Sequence, residues 1–216
     1  MKVSEAVARR KSVRQFTDEP VDRALLRDLV ERAARAPSGG NVQPWRIYVL
    51  DGESMERFRG FIADRPHEPA EYDIYPPSLW EPYRTNRFEL GEQMYATIGV
   101  SRDDKAGRLA QFAKNDDFFG APAALFCFVD RRMGPPQWSD LGMYLQTFML
   151  LAQEAGLDTC PQEYWTVRHG AVQEFVGAPD EEMLFCGVAI GHADTAHPIN
   201  GLESDRMPLE RWATFL

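Results

Sequence analysis

Arg9-Arg10-Lys11-Ser12-Val13-Arg14-Gln15-Phe16 sets four cations and a hydroxyl within six residues. Val13 and Phe16 flank Arg14, a pattern that fits an extended backbone. Successive side chains then point to opposite sides, Ser12 and Arg14 one way and Val13 the other. Guanidinium forks, an ammonium and a hydroxyl are the donors that a phosphate needs. In a random basic run the simplest account is a solvated helix end. This chain is acidic, with a formal net charge of −9 and a pI of about 5.0, so a local concentration of positive charge predicts an anion site. The same balance argues against nonspecific binding to nucleic acid or to an anionic membrane, because both need a basic surface.

Outward from this stretch, Asp22 is a suitable N-cap for a helix to Arg35, with Leu25, Leu26, Leu29, Val30, Ala33 and Ala34 in one apolar stripe. Pro37-Ser38-Gly39-Gly40-Asn41 ends that helix as a loop. Alternation of Trp45, Ile47 and Val49 predicts a strand to Leu50, and a short helix is expected from Met55 to Ile62. From Pro66 to Tyr83 five prolines forbid regular structure, and Tyr72, Tyr75, Trp80 and Tyr83 make that stretch a candidate functional loop. Helices are expected over 87–98, 103–114, 138–155 and 166–176, and buried strands over 123–129 and 184–190. The tail from His192 to Leu216 ends in apolar Trp212 and Phe215. Such residues predict packing, and a partner subunit is a candidate. Without steady strand–helix alternation the class is α+β, with helices around a small sheet. The length suits one domain over 1–216, with 66–98 as a pocket or lid excursion and 192–216 as a tail.

No apolar run of signal-peptide or membrane-span length is found. Cys127, Cys160 and Cys186 form no CxxC pair, which favours a reducing cytoplasm.

The basic stretch, followed by Ala36-Pro37-Ser38-Gly39-Gly40-Asn41-Val42-Gln43-Pro44-Trp45, resembles the N-terminal signature of the nitroreductase-like FMN flavoproteins. Two later segments are similar to the family's pattern: Gly156-Leu157-Asp158-Thr159-Cys160-Pro161-Gln162-Glu163, and Pro198-Ile199-Asn200 ahead of Arg206-Met207-Pro208-Leu209. Tyr164 and Trp165 depart from it, standing where the family usually shows a small residue. Ser204 departs as well, at a position where many relatives carry lysine. The resemblance runs from about residue 5 to 212. It implies a small central mixed sheet and an intertwined homodimer. It assigns Arg10, Lys11, Ser12, Arg14 and Arg206 to the flavin phosphate and ring edge. Pro37, Ser38, Gly39 and Asn41 would wrap the ring, partly from the other subunit, and Pro161, Gln162 and Glu163 would lie at its reactive edge.

The resemblance further implies bound FMN, hydride from transient NADH or NADPH, and a small acceptor, a nitroaromatic or quinone, reduced in ping-pong order. The cofactor carries the chemistry, so no catalytic side chain is expected. Trp80, Tyr83, Phe118 and Phe119 are the expected acceptor pocket, from composition and position. A flavin-dependent dehalogenase or dehydrogenase on the same scaffold is the alternative. An iodotyrosine-type lid needs a lysine, however, and 66–93 holds only arginines as cations. A non-catalytic flavin-binding protein is the third possibility. His192 and His197 match no zinc spacing, so no metal site is expected. Cys160 has no histidine beside it and fits a small buried hydrophobe better than a nucleophile.

Overall fold

A computed structural model describes residues 1–216. Four strands, β1 (Arg46–Asp51), β2 (Ala123–Asp130), β3 (Asp158–Gln162) and β4 (Glu182–Gly191), form one sheet in the order β1-β2-β4-β3. Every neighbouring pair is antiparallel. The expected mixed sheet is therefore antiparallel in its four strands, and parallel pairing is limited to an isolated bridge between Ser12 and Thr159.

Seven α-helices surround the sheet: α1 (Val3–Arg9), α2 (Arg23–Ala33), α3 (Gly52–Ala63), α4 (Tyr83–Thr97), α5 (Lys105–Ala113), α6 (Pro135–Glu154) and α7 (His169–Val176). Side chains alternate across each strand and build two cores. Phe126, Phe128, Leu184 and Cys160 pack with Phe58 of α3, Trp165 and Val172 of α7. Leu125, Cys127, Val129, Val188 and Ile190 pack with Leu26 and Leu29 of α2 and with Tyr144 and Phe148 of α6. Both faces of β2 are covered, which is why its sequence is continuously apolar.

Local chemistry sets most boundaries. The Asp22 carboxylate accepts the Ala24 N–H at 2.8 Å and caps α2. Helix α6 begins at Pro135, ahead of the expected Trp138, because proline is favoured in the first helical turn. Gly177 ends α7 in the left-handed conformation, φ 68°. The expected helix over 166–176 is divided: a 3-10 turn, Glu163–Arg168, precedes α7. The Thr166 hydroxyl accepts the Glu71 N–H at 3.0 Å and ties that turn to the proline-rich stretch. Helix α4 starts at Tyr83, before the expected Arg87, and buries none of its side chains.

Helix α1 and strand β3 lie outside the helices and strands expected from periodicity. Asp158-Thr159-Cys160-Pro161-Gln162 has weak strand propensity, and proline cannot serve inside a sheet. At the sheet edge, paired with β4 from Asp158↔Gly191 to Gln162↔Gly187, it is tolerated.

Candidate active site

The segment after α1 lies along the free edge of β3. The Val13 N–H donates to the Thr159 carbonyl at 3.0 Å. Val13 and Phe16 are buried, while Ser12 and Arg14 are half-buried, the sidedness that an extended backbone predicts. Arg14 Nη1 donates to the Ser12 carbonyl at 3.3 Å, and the Lys11 ammonium donates to the Asn200 carbonyl. Arg206 donates to Ser204 Oγ at 2.8 Å and to the Ser204 and Asp205 carbonyls.

Burial lowers the pKa of Arg10, and the nearby charge of Arg206 lowers it further. None of Arg10, Lys11, Arg14 and Arg206 is paired with a carboxylate, whereas most other arginines are. Cations crowded together without counter-charge form a site that an anion would stabilise. This donor set fits the phosphate of FMN.

Cys160 lies beneath the cluster. Burial pushes its thiol up to about 11, against the opposing pull of Arg14, Ser12 and Arg10. A thiol held neutral is a packing residue and not a nucleophile. Further along the same edge Pro161 is half-buried, and Gln162 is buried with its amide donating to Asn115 Oδ1 at 2.9 Å. Glu163 faces outward at the end of β3, yet partial burial of its carboxyl raises its pKa.

The loop at Pro37, Ser38, Gly39 and Asn41 sits elsewhere. The Gly39 N–H donates to both carboxylate oxygens of Asp140 in α6, each at 3.3 Å, and Ser38 Oγ accepts the Gln43 N–H at 3.0 Å. Gly40, Asn41 and Gln43 have φ of 57°, 59° and 51°. For glutamine this is uncommon and marks a locally over-determined loop. No hydrogen bond joins the loop to Arg10–Arg14 or to β3.

The expected acceptor pocket is not assembled. Phe118 and Phe119 are core residues: Phe118 packs on Trp165 with ring centroids 4.5 Å apart, and both belong to the cluster around Phe58 and Phe126. Their left-handed backbone turns them inward, φ 48° and 58°, which sequence periodicity cannot reveal. Trp80 and Tyr83 form an exposed edge-to-face pair at 5.6 Å. Tyr72, by contrast, is packed between Trp138 and Phe185. A cavity of about 540 Å³ lies between α4 and the tail, lined by Asn86, Leu90 and Gln93 on one side and Arg206 and Met207 on the other. Its size suits a small ligand.

Two residues outside the expected set meet the basic segment and the end of β3. Lys114 donates to Gln15 Oε1 at 3.1 Å, and Asn115 receives Gln162. Asn200 locks the basic segment by hydrogen bonds to Arg14 and Gln15. Asn200 lies in the motif noted near the C-terminus. Nothing local marks Lys114, which in sequence is only the end of a helix.

An α+β scaffold with a cluster of cations unpaired with carboxylates along the edge of its sheet, beside the strand end at Pro161–Glu163, is equipped to hold a phosphate-bearing cofactor. The chain belongs to the nitroreductase family, whose model matches residues 7–192. An FMN and NADPH-dependent nitroreductase from Sphigopyxis sp. strain HMH is 48% identical and superposes with a TM-score of 0.96, covering 100% of this chain and 99% of that one. A 4-nitrobenzoate reductase from Nocardioides sp. (strain LMS-CY) is 38% identical over 96% of this chain and 87% of the relative. A nitrobenzene nitroreductase from Ectopseudomonas oleovorans is 33% identical over 99% of this chain and 96% of the relative.

Proposed function

We propose that the protein is an FMN-dependent oxidoreductase that reduces a small nitroaromatic or quinone with hydride from NADH or NADPH, in ping-pong order and as a homodimer. The observation that carries this reading is the run of uncompensated cations, Arg10, Lys11, Arg14 and Arg206, beside the β3 edge. When bound, FMN supplies the hydride-transfer chemistry. Arg10, Arg14 and Arg206 hold the phosphate, with Lys11 and Ser12 completing its donors. Pro161, Gln162 and Glu163 form the wall beside the ring, and the loop at Pro37, Ser38, Gly39 and Asn41 covers the ring of the other subunit. Membership of the nitroreductase family and the nitroaromatic-reducing activities of its relatives support both the cofactor and a nitroaromatic acceptor.

The dimer is supported by two features. The loop and the cation cluster share no hydrogen bond within one chain. The tail presents Trp212 and Phe215 to solvent, 65% and 84% exposed, which large apolar side chains rarely remain in the functional assembly. Residues 192–216 therefore serve as an exchanging arm, and the excursion over 66–98 covers the acceptor, with Trp80 and Tyr83 at its tip. No helix is long and apolar enough to cross a membrane, and three free buried cysteines suit a reducing cytoplasm.

The test is the visible spectrum of the purified protein. A flavin spectrum that bleaches anaerobically with NADH or NADPH and returns on adding a nitroaromatic or quinone is expected. Absence of flavin, even after incubation with FMN, would refute the reading. Light scattering should give a dimer, and a chain ending at Gly201 should give a monomer with little flavin.

A further inference from the structure

Residues 114–119 are held more firmly than a surface turn requires. Phe118 and Phe119 occupy the left-handed region, which non-glycine residues adopt in succession only when their surroundings impose it. The three residues before them are each tied by a side chain. Asn115 receives the amide of Gln162, whose orientation is set by the Trp165 indole N–H donating to Gln162 Oε1 at 3.4 Å. Asp116 receives Arg168 in bidentate fashion, Nε to Oδ1 at 3.0 Å and Nη2 to Oδ2 at 2.9 Å, and also the Tyr164 hydroxyl at 2.8 Å. Asp117 receives Arg59 Nε at 2.6 Å.

The middle tie is a bidentate ion pair with one buried partner. The Arg168 side chain is 8% exposed, and its Nη1 donates to the Arg65 carbonyl. The Tyr164 hydroxyl gives its proton to Asp116, so His67 Nε2, 2.7 Å away, is the donor to that hydroxyl. A buried pair of this kind is weak evidence for stability and better evidence for fixed geometry. The element it aims is Lys114, which donates to Gln15 Oε1 beside Arg14 and has no carboxylate partner.

We propose that Asp116 is a positioning residue for the cofactor. Its bond to Arg168 and Tyr164 holds the left-handed turn that sets Lys114 on Gln15 and Asn115 on Gln162, and Lys114 would add positive charge that favours the anionic reduced form of a flavin bound beside the basic segment. The inference rests on the reading that this cleft holds FMN.

Four variants test it: Lys114→Met, Lys114→Arg, Asp116→Asn, and the double variant Lys114→Met with Asp116→Asn. The readouts are FMN affinity of the apoprotein by fluorescence quenching, and the midpoint potential of the holoprotein. Lys114→Met should weaken FMN binding about tenfold and lower the potential, and Lys114→Arg should recover both. Asp116→Asn should lose a similar amount and add little in the Lys114→Met background, because contacting groups couple. Wild-type affinity and potential in Asp116→Asn would overturn the proposal. So would a loss that persists in full without Lys114, which a purely structural role would give. If Asp116→Asn does not fold, Tyr164→Phe removes one of the same hydrogen bonds and carries the same comparison. A wild-type protein that binds no FMN overturns the cofactor reading and this inference together, whereas normal binding with unaffected variants overturns this inference alone.

Discussion

The side-chain carbonyl of Asn200 accepts the backbone N–H of Arg14 at 2.9 Å, across 186 positions of chain. Its amide donates to the carbonyls of Gln15, 2.7 Å, and Asp194, 2.9 Å. One buried side chain thus holds the basic segment against the turn that follows β4. Asn200→Ala leaves three backbone groups unpaired and should cost about 2–4 kcal/mol of folding stability. Asn200→Asp should be at least as damaging, because a carboxylate has no hydrogens for two carbonyls. Urea denaturation measures both, and a loss below about 0.5 kcal/mol, the usual scale for a neutral surface change, would remove Asn200 from this role.

Arg14→Ala and Arg206→Ala each delete a guanidinium from the uncompensated cluster. Both should fold, since neither side chain is buried, and both should be purified with little flavin, because a charge-assisted phosphate contact is lost. Flavin-to-protein absorbance ratios decide the matter. Full occupancy in both variants would remove the phosphate assignment.

Gly187 in β4 faces Trp165 so closely that a Cβ there would lie 2.3 Å from the indole Cδ1. Trp165 is fully buried among Phe58, Phe118 and Phe126 and cannot step aside. Gly187→Ala should therefore destabilise the fold by about 1–3 kcal/mol or more through overpacking, with altered tryptophan emission. Unchanged emission and stability would show that this core is looser than its contacts indicate.

Partial burial raises the Glu163 carboxyl pKa above its ordinary range. A group with a raised folded-state pKa contributes stability that is fully present below its unfolded pKa and is lost as pH rises through the folded value. At neutral pH the ionised Glu163 is thus a liability to the apoprotein, and Glu163→Gln should melt higher than wild type at pH 7. The advantage should vanish near pH 4, where wild-type Glu163 is protonated. Melting curves at the two pH values test this, and an equal difference at both would exclude titration of Glu163 as the cause.

Much of the scaffold was legible in the residues because its signals are local. Leu26 and Leu29 repeat at helical spacing on α2, the run from Ala123 to Val129 is apolar throughout, and Gly177 stops α7 where expected. The basic stretch was legible for a related reason: four cations within six residues stand out in an acidic chain, and Val13 and Phe16 already indicate which side is buried.

What lay beyond local signals depended on partners remote in sequence. Asp158–Gln162 is a strand because β4 pairs with it, not because of its own propensity. Phe118 and Phe119 have the composition of a pocket, yet the left-handed turn sends both into the core, and that turn is clamped by Arg59, Gln162, Tyr164 and Arg168. Phe118 and Phe119 therefore line the core, while Trp80 and Tyr83 stay exposed. By itself, then, the sequence determined the periodic elements, the α+β class and the concentrated basic stretch, all properties of neighbouring residues. Only the tertiary structure decided which edge that stretch lines, which aromatics are sealed inside, and that Lys114 and Asn200 meet it, because those outcomes depend on contacts between residues 48, 99 and 186 positions apart.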